Sequence, residues 1–150
     1  MIIRISLDRL ADVVPLFDAY RVFYKQESDM DRAREFLEAR LSGNESVIFV
    51  AYQKDVAVGF TQLYPVLSSM RTSKNWVLND LYVDAKARGQ GVGEGLIKKA
   101  LAFAKQEGAT FVRLSTQVEN VTAQRLYRKM GFQMEDPDTE FLTFTKTALQ

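Results

Sequence analysis

The chain has 150 residues, 47% hydrophobic and 26% charged, with a net charge of +1; that suits one globular domain with a real core and gives no basic face for nucleic acid. It holds no Cys and no His, which excludes disulfides, thiolate nucleophiles, Cys/His zinc sites, a Ser-His-Asp triad and imidazole acid–base chemistry. No apolar run approaches membrane-spanning length and the first residues do not open a signal peptide, so the chain reads as cytoplasmic.

Residues 1–6 alternate as a short strand. Ser6 is placed to N-cap a helix over residues 7–23, whose Leu7, Leu10, Val13, Val14, Phe17 and Tyr20 share one side. Pro15 should kink or divide it. A second helix is predicted over residues 30–41, ended by Gly43. Strands at 46–53 and 57–66 flank Lys54-Asp55, a tight hairpin turn. A polar loop over 68–75 leads to a strand at 76–83. Residues 91–106 are predicted as a helix with Val92, Leu96, Ile97, Ala100, Leu101 and Ala104 on its buried stripe, ended by Gly108. A β-branched run at 110–116 reads as a strand. Asn120 is an N-cap for a helix to Met130, with Gly131 past its end. Residues 132–135 and 140–147 read as a closing hairpin across Asp136-Pro137-Asp138. The order β-α-α-β-β-β-α-β-α-β-β predicts a mixed sheet with helices on both faces, in the α/β or α+β range, with a parallel pair around the glycine-rich turn.

That turn, Arg88-Gly89-Gln90-Gly91-Val92-Gly93, is the most informative stretch. Strand, glycine-rich turn and helix start together make an anion site. First-turn N–H groups have no internal partners and sit at the positive end of the dipole. The dinucleotide fingerprint fails, because Glu94, Leu96 and Lys98 stand where its last glycine is required, and no Gly-Lys-Ser/Thr P-loop exists. What remains is Arg/Gln-x-x-Gly-x-Gly/Ala at Arg88, Gly91 and Gly93. About thirty residues on comes Asn120-x-x-Ala123-x-x-x-Tyr127-x-x-x-Gly131-Phe132.

These two signatures in this order resemble the GCN5-related N-acetyltransferase (GNAT) family, and the resemblance covers nearly the whole chain. Within the family, the Leu78–Val83 run is similar to small-molecule amine and polyamine acetyltransferases. The resemblance implies a mostly antiparallel sheet of about seven strands, its central parallel pair splayed at the cofactor site. It implies acetyl-CoA as co-substrate, with no metal, and direct transfer to an amine without an acyl-enzyme. The N–H groups of Gly89, Gln90, Gly91, Val92 and Gly93 would hold the pyrophosphate, helped by Arg88. The backbone near Leu81 and Val83 would pair with the amide arm, and Asn120 would contact it. Tyr127 would protonate the departing thiolate; on residues alone it reads equally as a core aromatic. Several relatives carry Glu where this chain has Asn79, and Asn cannot serve as base. Asp80 is the nearest carboxylate, either the substitute base or a group satisfying the N–H groups of a bulge. Tyr20, Phe23 and Tyr24, with Gln62 and Tyr64, form either a pocket for a cationic amine or core and dimer surface. A small-molecule amine acceptor and a homodimer are expected. A non-catalytic acyl-CoA-binding module and acetylation of a protein or peptide amine are the alternatives.

Overall fold

The computed structural model describes residues 1–148, which fall into two compact units, Met1–Gln117 and one beginning at Val118. In the first unit, β1 (Ile2–Arg4), β2 (Val47–Gln53), β3 (Val56–Ser68), β4 (Ser73–Val83) and β5 (Val112–Arg113) form one sheet in sequence order. The first three pairings are antiparallel and β4–β5 is parallel. The mixed sheet agrees with the expected class, with five strands among the described residues instead of about seven.

Helices α1 (Leu10–Phe23) and α2 (Met30–Ser42) pack on one face, and α3 (Val92–Gln106) covers the other. Two neighbours on β3 show the division. Phe60 meets Phe17 of α1 edge-on at 6.1 Å. Gly59 lies beneath α3, and a Cβ there would come within 3.1 Å of Val92 and 3.3 Å of Leu96. The α1–α2 face holds a hydrophobic cluster in which Val13, Ala33, Leu37, Ile48, Val50 and Phe60 are fully buried. Each large side chain there contributes about 1.5–3 kcal/mol by leaving water.

Several local expectations are corrected. The first helix is divided at Arg9/Leu10, where a 3-10 turn over Leu7–Arg9 precedes α1, and α1 runs unbroken through Pro15. Pro15 and Ala11, whose carbonyl loses its partner, both face solvent, so water satisfies the group. Asp29 caps α2 by accepting from the Arg32 N–H at 3.0 Å. Gly43 ends α2 without left-handed φ, which falls on Asn44 at 54°. The Lys54-Asp55 turn has φ of 49° and 65°, as a two-residue hairpin requires. The expected loop over 68–75 is a continuation of the hairpin, because Ser68 pairs with Ser73 and Val66 with Asn75. Ladder bonds join backbone groups, so polar side chains do not prevent them.

Strand β5 is two residues long instead of seven. The N–H groups of Thr110 and Phe111 donate to the buried Asn75 Oδ1 at 2.7 and 3.1 Å, so the chain enters the sheet held by a side chain and not by a ladder. In the second unit, Asn120 caps α4 (Val121–Lys129) by accepting from the Ala123 N–H at 3.0 Å. The expected strands at 132–135 and 140–147 form no ladder among the described residues. There Asp138 Oδ1 accepts from the N–H groups of Glu140 and Phe141 at 2.9 and 3.0 Å, a side-chain turn.

Candidate active site

The glycine-rich turn connects β4 to α3. Gly89 and Gly91 adopt φ of 78° and 79°, a region costly for residues with a Cβ. Gly91 is the N-cap of α3 and no side chain caps the helix. A Cβ at either glycine would meet nothing within 4 Å, and Val92 and Gly93 open the first turn of α3, whose N–H groups have no partner within the helix. That cradle suits a pyrophosphate. The Arg88 side chain turns back along the strand end, where its Nε donates to the Val83 carbonyl at 3.0 Å and its guanidinium lies 5.7 Å from the Tyr82 ring centre. Gln90 donates to the Lys86 carbonyl at 3.3 Å and accepts from Gln53 Nε2 at 3.0 Å.

The edge of β4 is the second component. Its parallel ladder with β5 covers Trp76 and Val77 only, although β4 continues to Val83. The stretch from Leu78 to Val83, Leu81 included, is therefore held by β3 and lacks a strand partner on its other edge among the described residues. An extended amide-bearing chain can pair with such an edge.

The third component lies on the α1 face. Gln62 pairs with Asp80 and Leu63 with Leu78, so Asn79 is the extra residue of a β-bulge. The bulge turns Asp80 toward α1, where it is 2% exposed. Its Oδ2 accepts from Gln62 Nε2 at 2.6 Å and its Oδ1 from Asn79 Nδ2 at 2.7 Å. Gln62 is fully buried and accepts from Ser46 Oγ at 2.8 Å. The Tyr20 hydroxyl donates to the Asn79 carbonyl at 3.2 Å, and Tyr24 packs edge-on against Tyr20 at 5.0 Å.

Burial pushes the Asp80 carboxyl above its ordinary range, against the opposing hydrogen bonds from Asn79, Gln62 and Tyr20. Burial and the Asp80 charge push Tyr20 up and Tyr64 up to about 12. No cation among the described residues pairs with Asp80. The result is a buried carboxylate facing tyrosines without a countercharge, an arrangement able to take a proton or hold an ammonium group.

The first unit thus brings together Tyr20, Tyr24, Gln62, Asn79 and Asp80. Asn120 and Tyr127 belong to the second unit. There Tyr127 is half-buried, its ring 6.1 Å from that of Phe132, and its carbonyl accepts from the Phe132 N–H at 3.0 Å. Sequence reasoning missed Ser46. A serine before an apolar strand carries no signal of burial, which arises when β3 aligns beside β2. Among the described residues no acidic group could hold a metal, and no helix is long and apolar enough to cross a membrane.

The model of the acetyltransferase (GNAT) family matches residues 11–132. The chain is 42% identical over 134 residues to the uncharacterised N-acetyltransferase YhfO of Bacillus subtilis (strain 168), covering 89% of this chain and 88% of that one. A crystal structure described as a "probable acetyltransferase" superposes with a TM-score of 0.87 at 40% identity, covering 98% of this chain and 97% of that one. An aminoglycoside acetyltransferase from an uncultured soil metagenomic sample, solved with trehalose, shares the fold with a TM-score of 0.79 at 22% identity, covering 97% and 96%. The glycine cradle, the open β4 edge and these likenesses agree, and the chain belongs to the GNAT family as an acetyl-CoA-dependent N-acetyltransferase.

Proposed function

We propose that this enzyme transfers the acetyl group of acetyl-CoA directly to a primary amine of a small molecule, with Asp80 as base and Tyr127 as acid. The observation that carries the reading is the buried Asp80 carboxylate, without a countercharge, at a bulge beside the open β4 edge. Residues 1–150 act as one functional domain in this reading, which the family match across residues 11–132 supports.

Acetyl-CoA supplies an activated thioester when bound. The N–H groups from Gly89 to Gly93 hold its pyrophosphate, and the Leu81 backbone pairs with its amide arm and steadies the oxyanion. Asn120 contacts the same arm. Tyr20, Tyr24 and Asn79 line the approach of the cationic acceptor. Asp80 takes the ammonium proton through water or the Tyr20 hydroxyl, because its own oxygens are nearly inaccessible. The neutral amine then forms the C–N bond as the C–S bond breaks, Tyr127 gives its proton to the thiolate sulfur, and the second proton that leaves the nitrogen as the amide forms passes through water to restore Tyr127. A phenol near pKa 10 suits that donation at neutral pH. Neither step needs a Cys or His nucleophile.

Coenzyme A release, measured over diamines, amino acids, aminoglycosides and peptides, tests the acceptor. Turnover confined to peptide or protein amines would overturn the small-molecule reading. Tyr127→Phe is expected to lower kcat about 100-fold with little change in acetyl-CoA binding. Unchanged turnover across the pH range would remove Tyr127 from the acid role.

A further inference from the structure

Gln62 is a fully buried amide on a central strand, an expensive position unless both its ends are bonded. Both are. Ser46 Oγ donates to Oε1 at 2.8 Å, and Nε2 donates to Asp80 Oδ2 at 2.6 Å. The other carboxyl oxygen, Oδ1, is held by Asn79 Nδ2 at 2.7 Å. The two donors differ in freedom. Asn79 is an exposed residue on the bulge and its side chain can swing aside; Gln62 is locked in the core by Ser46 and cannot. The two oxygens of Asp80 are thereby made unequal.

We infer that Gln62, oriented by Ser46, is a positioning residue that fixes Oδ2 of Asp80 and leaves Oδ1 as the oxygen that receives the proton. The assignment rests on the reading of Asp80 as base. It moves Gln62 from acceptor contact, where the sequence put it, to a role exercised through Asp80. The other titratable or charged groups around this carboxyl are few. Tyr20 faces it from α1 and Tyr64 from β3, with Tyr24 acting on Tyr20, and Arg40 of α2 and Glu45 acting on Tyr64.

The test uses the full chain as wild type, Gln62→Met, which keeps the volume and removes the donor, Ser46→Ala, which frees the amide to turn, and Asp80→Asn. The Asp80 carboxyl carbon is titrated by NMR in the first three, without substrate. The pH profile of kcat/KM is then measured for an amine that turns over. A lost donor to a carboxylate is expected to raise the Asp80 midpoint by about one unit in Gln62→Met, and by less in Ser46→Ala. The acidic limb of the profile should move with it, lowering kcat/KM about tenfold below the limb and leaving the plateau and the KM for acetyl-CoA unchanged. A role confined to packing would lower the melting temperature and leave midpoint and limb in place, and that result overturns the inference. An Asp80→Asn enzyme keeping the wild-type limb would overturn the base reading, whereas an unmoved midpoint in the Gln62 and Ser46 variants overturns the positioning alone. If Gln62→Met fails to fold, the Ser46→Ala midpoint decides.

Discussion

Asp18 and Asp80 are both buried carboxylates on the α1 face, and their surroundings move their protonation in opposite directions. Asp18 accepts from Ser28 Oγ at 2.6 Å and from the Asp29 N–H at 2.8 Å, and lies 3.9 Å from Arg21. The Ser28 hydroxyl first, then the Asp29 N–H, hold it below the ordinary value of 3.8. Its contribution to stability is therefore present above 3.8 and is lost as pH falls through the lowered value. Asp80 has the reverse sign. Its raised pKa gives a contribution that is full below 3.8 and is lost as pH rises through the folded value. Asp18→Asn is expected to cost about 1–2 kcal/mol at pH 7, shown by urea unfolding, with a smaller gap to wild type at an acid pH below 3.8. A gap of the same size at both pH values would remove the charge from the explanation. At this scale the sequence shows what is local. The Asn120 cap bonds three residues ahead, and the left-handed glycines need only their own backbone. The Asp18–Ser28 and Ser46–Gln62 pairs span 10 and 16 residues, and no periodicity announces them.

In the proposed role the glycine-rich turn acts as an element, because its conformation and not a side chain sets the direction of its N–H groups. Gly91→Val tests this cleanly. No atom lies within 4 Å of the added Cβ and φ is 79°, so the cost is backbone strain of about 1–2 kcal/mol. Calorimetry with coenzyme A should show a Kd raised about tenfold, with circular dichroism unchanged; unaltered affinity would mean that the turn does not hold the ligand. Helices with a 3.6-residue apolar stripe were legible almost to the residue, as α2 and α3 show. Strands were less so, since a strand ends where its partner ends. The β3–β4 arms outran their apolar residues because each paired with the other. Alternation at 140–147 made no ladder among the described residues. The sequence also could not show that the β4–β5 pairing stops after two residues, the property that leaves the rest of that β4 edge without a strand partner among the described residues.

Across the first unit, the sheet separates two components of the candidate site. The glycine turn leads into α3 on one face, while Asp80, Gln62 and Tyr20 gather with the core under α1 and α2 on the other. That second face carries the buried cluster formed with α1 and α2. Leu37→Ala, which empties a fully buried position of α2, is expected to cost about 2–5 kcal/mol in urea unfolding while leaving coenzyme A affinity intact below the transition. A loss of affinity in proportion to stability would show that the two faces are coupled. The arrangement also gives Asn79 a meaning beyond its own hydrogen bonds. Leu78 already faces Leu63 and Asp80 already faces Gln62, so a chain lacking Asn79 would keep every remaining pair in register and gain an uninterrupted ladder. A strand made only to pair would omit it. The surplus residue is a departure from regularity, as is the register shift between Ala51 and Tyr52 on β2, and a straightened strand without Asn79 would lose the amide that holds Oδ1 of Asp80.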